Sequence, residues 1–299
     1  MFINMKNATK WRHMTSVVSI GLMIFALSMI ATKGLNWGLD FTGGIVSEVQ
    51  IDSKITSSEI APLLDASFKQ DVAVIASGEP GRWVLRYAIP PKGVELPPLT
   101  EVLAPLHSDV QVLNTSIVGP QVGQELTEQG GMALLVSVLV ILAYVSYRFE
   151  WRLASGSLFA LTHDIVFVLG FFAATQMEFN LTTLAAILAI LGYSLNDSII
   201  IADRIRELLI AKPELSIQEV NNQAVAATFS RTMVTSGTTL ITVGSLWLLG
   251  GGPLEGFAIA MFIGIVTGTW SSISVGTSLP EYFGLNSDHY KPKPVSEEP

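Results

Sequence analysis

The sequence predicts a polytopic α-helical membrane protein with six transmembrane helices, arranged one plus five, and an α+β domain inserted after the first. Three observations predict it. Six apolar runs, residues 14–32, 131–149, 153–176, 181–202, 231–249 and 254–276, approach the roughly 20 residues that a spanning helix needs. Charged residues make up 14% of the chain and apolar residues 49%, whereas a soluble domain carries about 25% charged residues. The one long polar stretch, residues 34–128, holds 12 acidic and 5 basic residues, so an acidic domain interrupts the spans.

The expected layout follows in order. Residues 1–13 are an N-terminal tail carrying Lys6, Lys10 and Arg12, and 14–33 form the first span. A basic leader before an apolar run also describes a secretory signal. This run is longer than a usual signal core and no small-x-small site closes it, so an uncleaved span is expected. Residues 34–128 form the inserted domain and 129–284 hold spans two to six. Residues 203–230 are read as a partly helical loop, and 285–299 as a disordered polar tail. Lys and Arg concentrate in the short segments on the N-terminal side of the membrane, and the short turns near 177–180 and 250–253 hold none. That asymmetry places both termini inside and the inserted domain outside.

The domain opens with Gly34 and the run Trp37-Gly38-Leu39-Asp40-Phe41-Thr42-Gly43-Gly44. The glycine pair reads as a turn needing φ > 0, and Trp37 suits a membrane interface. Strands are expected at 45–51, 72–76, 83–89 and 110–118. Thr56-Ser57-Ser58-Glu59 is a capping-box signature ahead of a helix through Ile60, Leu63, Leu64 and Phe68. A second short helix follows Pro97-Pro98. The order βαββαβ predicts a ferredoxin-like sandwich, with Leu63, Leu64, Phe68, Val84 and Leu85 as its core candidates.

Polar groups inside the spans are the candidate functional residues. Asp197 follows Asn196 and shares a turn with Ser194 and Ser198. An Asp at a helix centre costs roughly 2.5–3.5 kcal/mol and commonly marks an ion or proton path; a helix end running into water is the other reading. His163-Asp164 in span three is either a relay or a hydrogen-bonded anchor between helices. In span five, Arg231, Thr235, Thr238, Thr242 and Ser245 fall on one helical face. Such a stripe lines a water file, or serves as small packing residues. Gly264 and Gly268 form a close-packing pair in span six.

Several classes are excluded or unsupported. No basic face exists for nucleic acid. Cysteine is absent, so no thiol chemistry or zinc cluster is expected. No nucleophile elbow, phosphate loop or metal-ligand cluster points to an enzyme, and no cofactor is expected.

The motifs now on the page resemble the SecF family, the smaller-subunit branch of the SecD–SecF protein-export proteins within the resistance-nodulation-division superfamily. They are WGLDFTGG at 37–44, GPQVGQEL at 119–126, YRFEWRLA at 147–154, HD at 163–164, GYSLNDSIIIADRIRE at 192–207, SRTMVTSGTTL at 230–240, GGPLEGFA at 251–258 and GTWSSI at 268–273. Leu208, where the family often has Asn, and residues 213–229 depart from its pattern. The resemblance implies a multi-pass protein of the bacterial inner membrane whose inserted domain is periplasmic. It implies partnership with SecD, the SecYEG channel and a translocating polypeptide, in membrane lipid, with the proton-motive force as energy source. The family's membrane Asp and Arg fall on Asp197 and Arg231. Asp164 is a further proton-coupling candidate, and Ser194, Asn196, Thr235 and Thr238 are candidates for a water path. Gly38, Asp40, Gly43 and Gly44 are the signature turn. Two other readings are a half-unit of a small-molecule or lipid exporter, and a non-conducting assembly factor.

Overall fold

A computed structural model describes residues 5–77, 79–91 and 93–290. Its elements, in chain order, begin with α1 (Met5–Lys33), β1 (Asn36–Trp37), α2 (Leu39–Thr42), β2 (Gly44–Gln50) and α3 (Ser57–Phe68). Next come β3 (Ala73–Ala76), β4 (Arg82–Tyr87), α4 (Leu99–Leu103) and β5 (Gln111–Val118). The bundle continues with α5 (Pro120–Arg148), α6 (Trp151–Thr175), β6 (Glu178–Phe179), α7 (Leu181–Ala211), α8 (Ile217–Leu249), α9 (Gly252–Ile273) and α10 (Val275–Tyr282).

β2, β3, β4 and β5 make one sheet in the order β3-β4-β2-β5, with every neighbouring pair antiparallel. With α3 and α4 between strands, this is the ferredoxin-like arrangement. α3 starts as its capping box dictates, with Thr56 N donating to Glu59 Oε2 at 2.8 Å. Ile60, Leu64, Leu85 and Leu103 are fully buried between sheet and helices, with Phe68 beside them.

Two expected core residues are not in that core. Leu63 and Val84 are only half-buried and lie outside the cluster. Successive strand residues point to opposite faces, so Val84 and Leu85 cannot both face α3. On a helix, Leu63 stands about 100° from Leu64. Truncating Leu64 to Ala is therefore expected to cost about 2–5 kcal/mol, and Val84→Ala well under that. Limited proteolysis of the whole chain checks it. Equal cleavage of the two variants within the α+β domain would reject this core.

Among the described residues six stretches are long and apolar enough to cross a membrane, with α9 and α10 forming the last: Ala8–Lys33, Gln121–Arg148, Trp151–Thr175, Leu181–Ala211, Ile217–Leu249 and Leu254–Tyr282. They are unequally enclosed. In their most apolar windows 56% of α7 is buried inside the chain against 11% of α5, so α7 is central and α5 peripheral. α9 crosses α7 closely because Gly264 and Gly268 leave room. A Cβ on Gly264 would stand 2.5 Å from Ile190 Cδ1, and one on Gly268 would stand 3.2 Å from Ser194 Cβ.

The region read as a loop over 203–230 is mostly helix. α7 runs to Ala211 and α8 starts at Ile217 behind a Ser216–Glu219 capping box. Leu208 and Leu209 of α7 pack with Val220 and Ala224 of α8, so apolar burial carries both helices past their membrane-length runs. The tail is also ordered further than expected. Leu285 is buried, Ser287 Oγ donates to Pro213 O at 3.0 Å, and Tyr290 packs on the same core. The remainder of that tail, 291–299, lies outside the described residues, as do residues 1–4 of the N-terminal tail.

Candidate functional site

The signature turn joins the α+β domain to α7. β1 pairs in parallel with β6, just ahead of α7. Asn180 caps α7, its Oδ1 accepting from Thr183 N at 3.0 Å. Asp40 Oδ2 accepts from Leu181 N at 2.9 Å, placing a negative charge at the positive end of the helix dipole. Gly38 lies against Glu178, where a Cβ would come within 2.6 Å of Oε1. The same oxygen accepts from Arg86 Nη1 of β4 at 3.0 Å. Gly43 holds φ at 73°, which an L side chain resists. Gly44 does not need positive φ; it leaves room for Tyr87 O, 2.8 Å from where a Cβ would stand.

Asp197 lies 16 residues beyond Leu181 on α7, about 24 Å along the axis. It is 2% exposed, and its Oδ2 is buried without a hydrogen-bond partner among the described residues. The hydroxyls of Ser236 and Thr232 and the charge of Arg231, all on α8, act on it. Ser236 Oγ is also 2.7 Å from Thr269 Oγ1 of α9. One residue on, Ser198 Oγ meets Ser272 Oγ at 3.1 Å. Asp197 thus sits where α7, α8 and α9 converge, in a shell of hydroxyls rather than in a tight ion pair.

Asp164 is a second buried carboxylate, fully enclosed. Its Oδ1 is 3.0 Å from His163 Nδ1. Its Oδ2 accepts from Ser194 Oγ of α7 and, at 3.0 Å, from Ser271 Oγ of α9. One carboxylate therefore ties three helices. Ser194 belongs to this anchor and stands one turn from Asp197, so the two carboxylates lie along the same side of α7.

The other water-path candidates fall elsewhere. Asn196 is exposed. Thr235 is half-buried and Thr238 exposed, and both donate to carbonyls of their own helix. Arg231, Thr242 and Ser245 are exposed as well. The inward hydroxyls of α8 are instead Thr228, Thr232 and Ser236, a neighbouring row at the same helical spacing. The row legible in the sequence, that of Arg231, lies beside this inward row. Ser271 and Ser272 stood within GTWSSI without a role assigned to either.

Comparison with known proteins fits this geometry. The family described as "Protein export membrane protein SecD/SecF, C-terminal" matches residues 99–285, and the "SecD/SecF GG Motif" matches residues 28–55. The chain is 40% identical over 294 residues to the protein translocase subunit SecF of Vibrio alginolyticus, covering 97% of this chain and 93% of that one. It is 36% identical to SecF of Escherichia coli O157:H7, covering 97% and 91%. Among solved structures it is similar to SecDF of Thermus thermophilus, a translocon-associated membrane protein, with TM-score 0.78 and 32% identity. That likeness covers 95% of this chain but only 38% of the SecDF chain. The super-membrane-facing form of SecDF aligns with TM-score 0.70. With two family matches and near full-length relatives at this identity, the chain belongs to the SecD/SecF family of protein-export membrane proteins.

Proposed function

We propose that the chain is the SecF-type subunit of a bacterial inner-membrane protein translocase and draws on the proton-motive force through Asp197 to promote the late export of polypeptides. Family membership supports the export role. The observation that carries the proton role is Asp197 itself, a buried carboxylate with one oxygen unpartnered, beside an arginine it does not bond directly. Burial raises the cost of charge and a nearby cation lowers it, so a small rearrangement of α7 against α8 favours one protonation state over the other.

SecD is the natural partner. The solved SecDF chain exceeds this one by more than half its length, and α8 presents Arg231, Thr238 and Thr242 outward. Guanidinium and hydroxyl groups do not rest against lipid tails when a protein surface is on hand, so SecD helices cover this face. SecYEG supplies the channel and the translocating polypeptide is the substrate. The energy source is the proton gradient, with no cofactor. The α+β domain lies in the periplasm and both termini in the cytoplasm.

The test uses proteoliposomes holding the chain with SecD and SecYEG, under an imposed proton gradient. Proton entry and gradient-dependent export are both expected, and both are expected to fall when Arg231 is replaced by Met. Gradient-independent export by the complete assembly would reject the coupling. Orientation has its own check, since the chain lacks cysteine. Ser53→Cys, exposed in the α+β domain, is expected to react with an impermeant thiol reagent in spheroplasts. Glu214→Cys, between α7 and α8, is expected not to; the opposite pattern would invert the topology.

A further inference from the structure

Leu249, the end of α8, lies 13 residues beyond Ser236, about 20 Å along the axis, so the turn that follows stands apart from the Asp197 shell. That turn is bare, with glycine at 250, 251, 252 and 256. Gly251 holds φ at 74°, a conformation that an L side chain resists, and there the chain passes from α8 into α9. Gly256 seats the start of α9 on the start of α7, since a Cβ on it would stand 2.8 Å from Thr183 Oγ1. Gly252 lies one turn earlier on the same helical face and meets the α+β domain instead. A Cβ on it would stand 2.3 Å from Ile75 Cγ2 and 3.3 Å from Ala76 O. Ile75 and Ala76 belong to β3, an edge strand of the sheet.

The domain is thus attached to the bundle in two unlike ways. Beside α7 the attachment is hydrogen-bonded, through the β1–β6 pair, the bond from Leu181 N to Asp40 and the bond from Arg86 to Glu178. At β3 it is an aliphatic side chain resting on bare backbone. Among the described residues no hydrogen bond or ion pair joins β3 to the turn before α9. Parting the bonded side strands donors and acceptors, which is costly wherever they stay buried. Parting the β3 side strands none.

The strand order puts the loose contact at the end of a lever. In the order β3-β4-β2-β5, β2 continues directly from the signature turn and β4 carries the Arg86 bond. β3 lies two strand spacings from β2, about 10 Å, farther than any other strand of the sheet. Rotation about the bonded side therefore displaces β3 most. The exit from the domain does not oppose it, since Gly119, between β5 and α5, has open space where a Cβ would stand. At position 252 glycine is what lets the β3 edge settle, because any larger residue would meet Ile75 first.

We propose that the contact between Ile75 and Gly252 is a releasable rest. The α+β domain sits on the start of α9 in the state described here, and it lifts its β3 edge from that seat, turning about the joint at α7, in each round of export. The proposal rests on the export role of the chain and is independent of whether Asp197 moves a proton.

The chain lacks cysteine, and a Cβ on Gly252 would lie 3.8 Å from Ile75 Cβ, within the separation of about 3.5–4.5 Å that a disulfide needs. Ile75→Cys also removes the Cγ2 methyl that obstructs a side chain at 252. The double variant Ile75→Cys/Gly252→Cys is placed with SecD and SecYEG in proteoliposomes. It is compared reduced, oxidised to the disulfide, and bridged by a long flexible bis-maleimide, each with and without a proton gradient. Oxidation is expected to lower export to the fraction of chains left uncrosslinked, reduction to restore it, and the long bridge to leave it at the reduced level. Disulfide formation is expected to be slower in exporting vesicles than in resting ones, because the edge is lifted for part of each round. Absence of a disulfide under oxidant would overturn the contact. Undiminished export by crosslinked chains, an equal loss with the long bridge, or equal rates of disulfide formation in resting and exporting vesicles would each overturn the lift. Failure of the Asp197 reading looks different: the reduced form would export equally with and without the gradient, while the ratio of oxidised to reduced export would still report on the rest.

Discussion

Asp197→Asn is expected to abolish gradient-dependent export while leaving the chain folded and assembled. Asn nearly matches Asp in shape, and a hydroxyl such as those of Ser236 and Thr232 near it can accept from an amide as well as donate to a carboxylate. What is lost is the ability to take and release a proton. One charge crossing a 100 mV potential supplies about 2.3 kcal/mol, which biases a two-state equilibrium roughly 50-fold. Removing the carrier removes that bias, so the gradient-dependent part of export is expected to fall by about that factor at 100 mV. Proton entry and export are measured together in proteoliposomes, with copurification of SecD as the control for assembly. Export at wild-type rate by a correctly assembled Asp197→Asn variant would falsify the proton role and leave Asp197 a packing residue.

Asp164→Ala is expected to be the most destabilising single change in the bundle. It strips the buried partner from His163 Nδ1 and Ser194 Oγ at once, while Ser271 Oγ keeps Gly268 O at 3.2 Å. An orphaned buried polar group costs about 1–3 kcal/mol, so two of them remove several kcal/mol from a fold whose total stability is about 5–15 kcal/mol. Asp164→Asn keeps one acceptor oxygen and is expected to lose much less. Yield from membranes and thermal unfolding in detergent distinguish the two. If Asp164→Ala melts with the wild type, the residue is no anchor. If Asp164→Asn is fully stable yet loses proton entry, it is a relay.

Much of this architecture was legible beforehand, and the failures have physical causes. The strands of the α+β domain were legible from their apolar patterning between turn residues, and the start of α3 from Thr56-x-x-Glu59. The capping box of Ser216 and Glu219 was just as plain, but polar residues around it hid the helix behind it. α8 shows the deeper difficulty. In a soluble helix the polar row faces out and the apolar row faces in. Inside a membrane both faces of α8 carry hydroxyls, and composition cannot say which row turns toward α7. The row of Thr228, Thr232 and Ser236 became visible only once α9 fixed the rotation of its neighbour. The carboxylates were legible for the opposite reason, since nothing else in an apolar span is so expensive.

The hydrogen bond from Leu181 N to Asp40 gives α7 the character of a keyed shaft. One end is indexed to the α+β domain by a carboxylate from the signature turn, and the working group lies 16 residues farther along. Each residue turns a helix by about 100°, so a single insertion between Leu181 and Asp197 would swing the carboxylate out of its hydroxyl shell without touching either end. The key is also the weak part. A helix N-terminal contact of this kind contributes about 0.3–2 kcal/mol, whereas bending a 31-residue helix breaks backbone bonds in series. The β1–β6 pair and the Arg86–Glu178 contact reinforce the key, so torque arriving from either side is carried by this small set of contacts before it deforms the shaft.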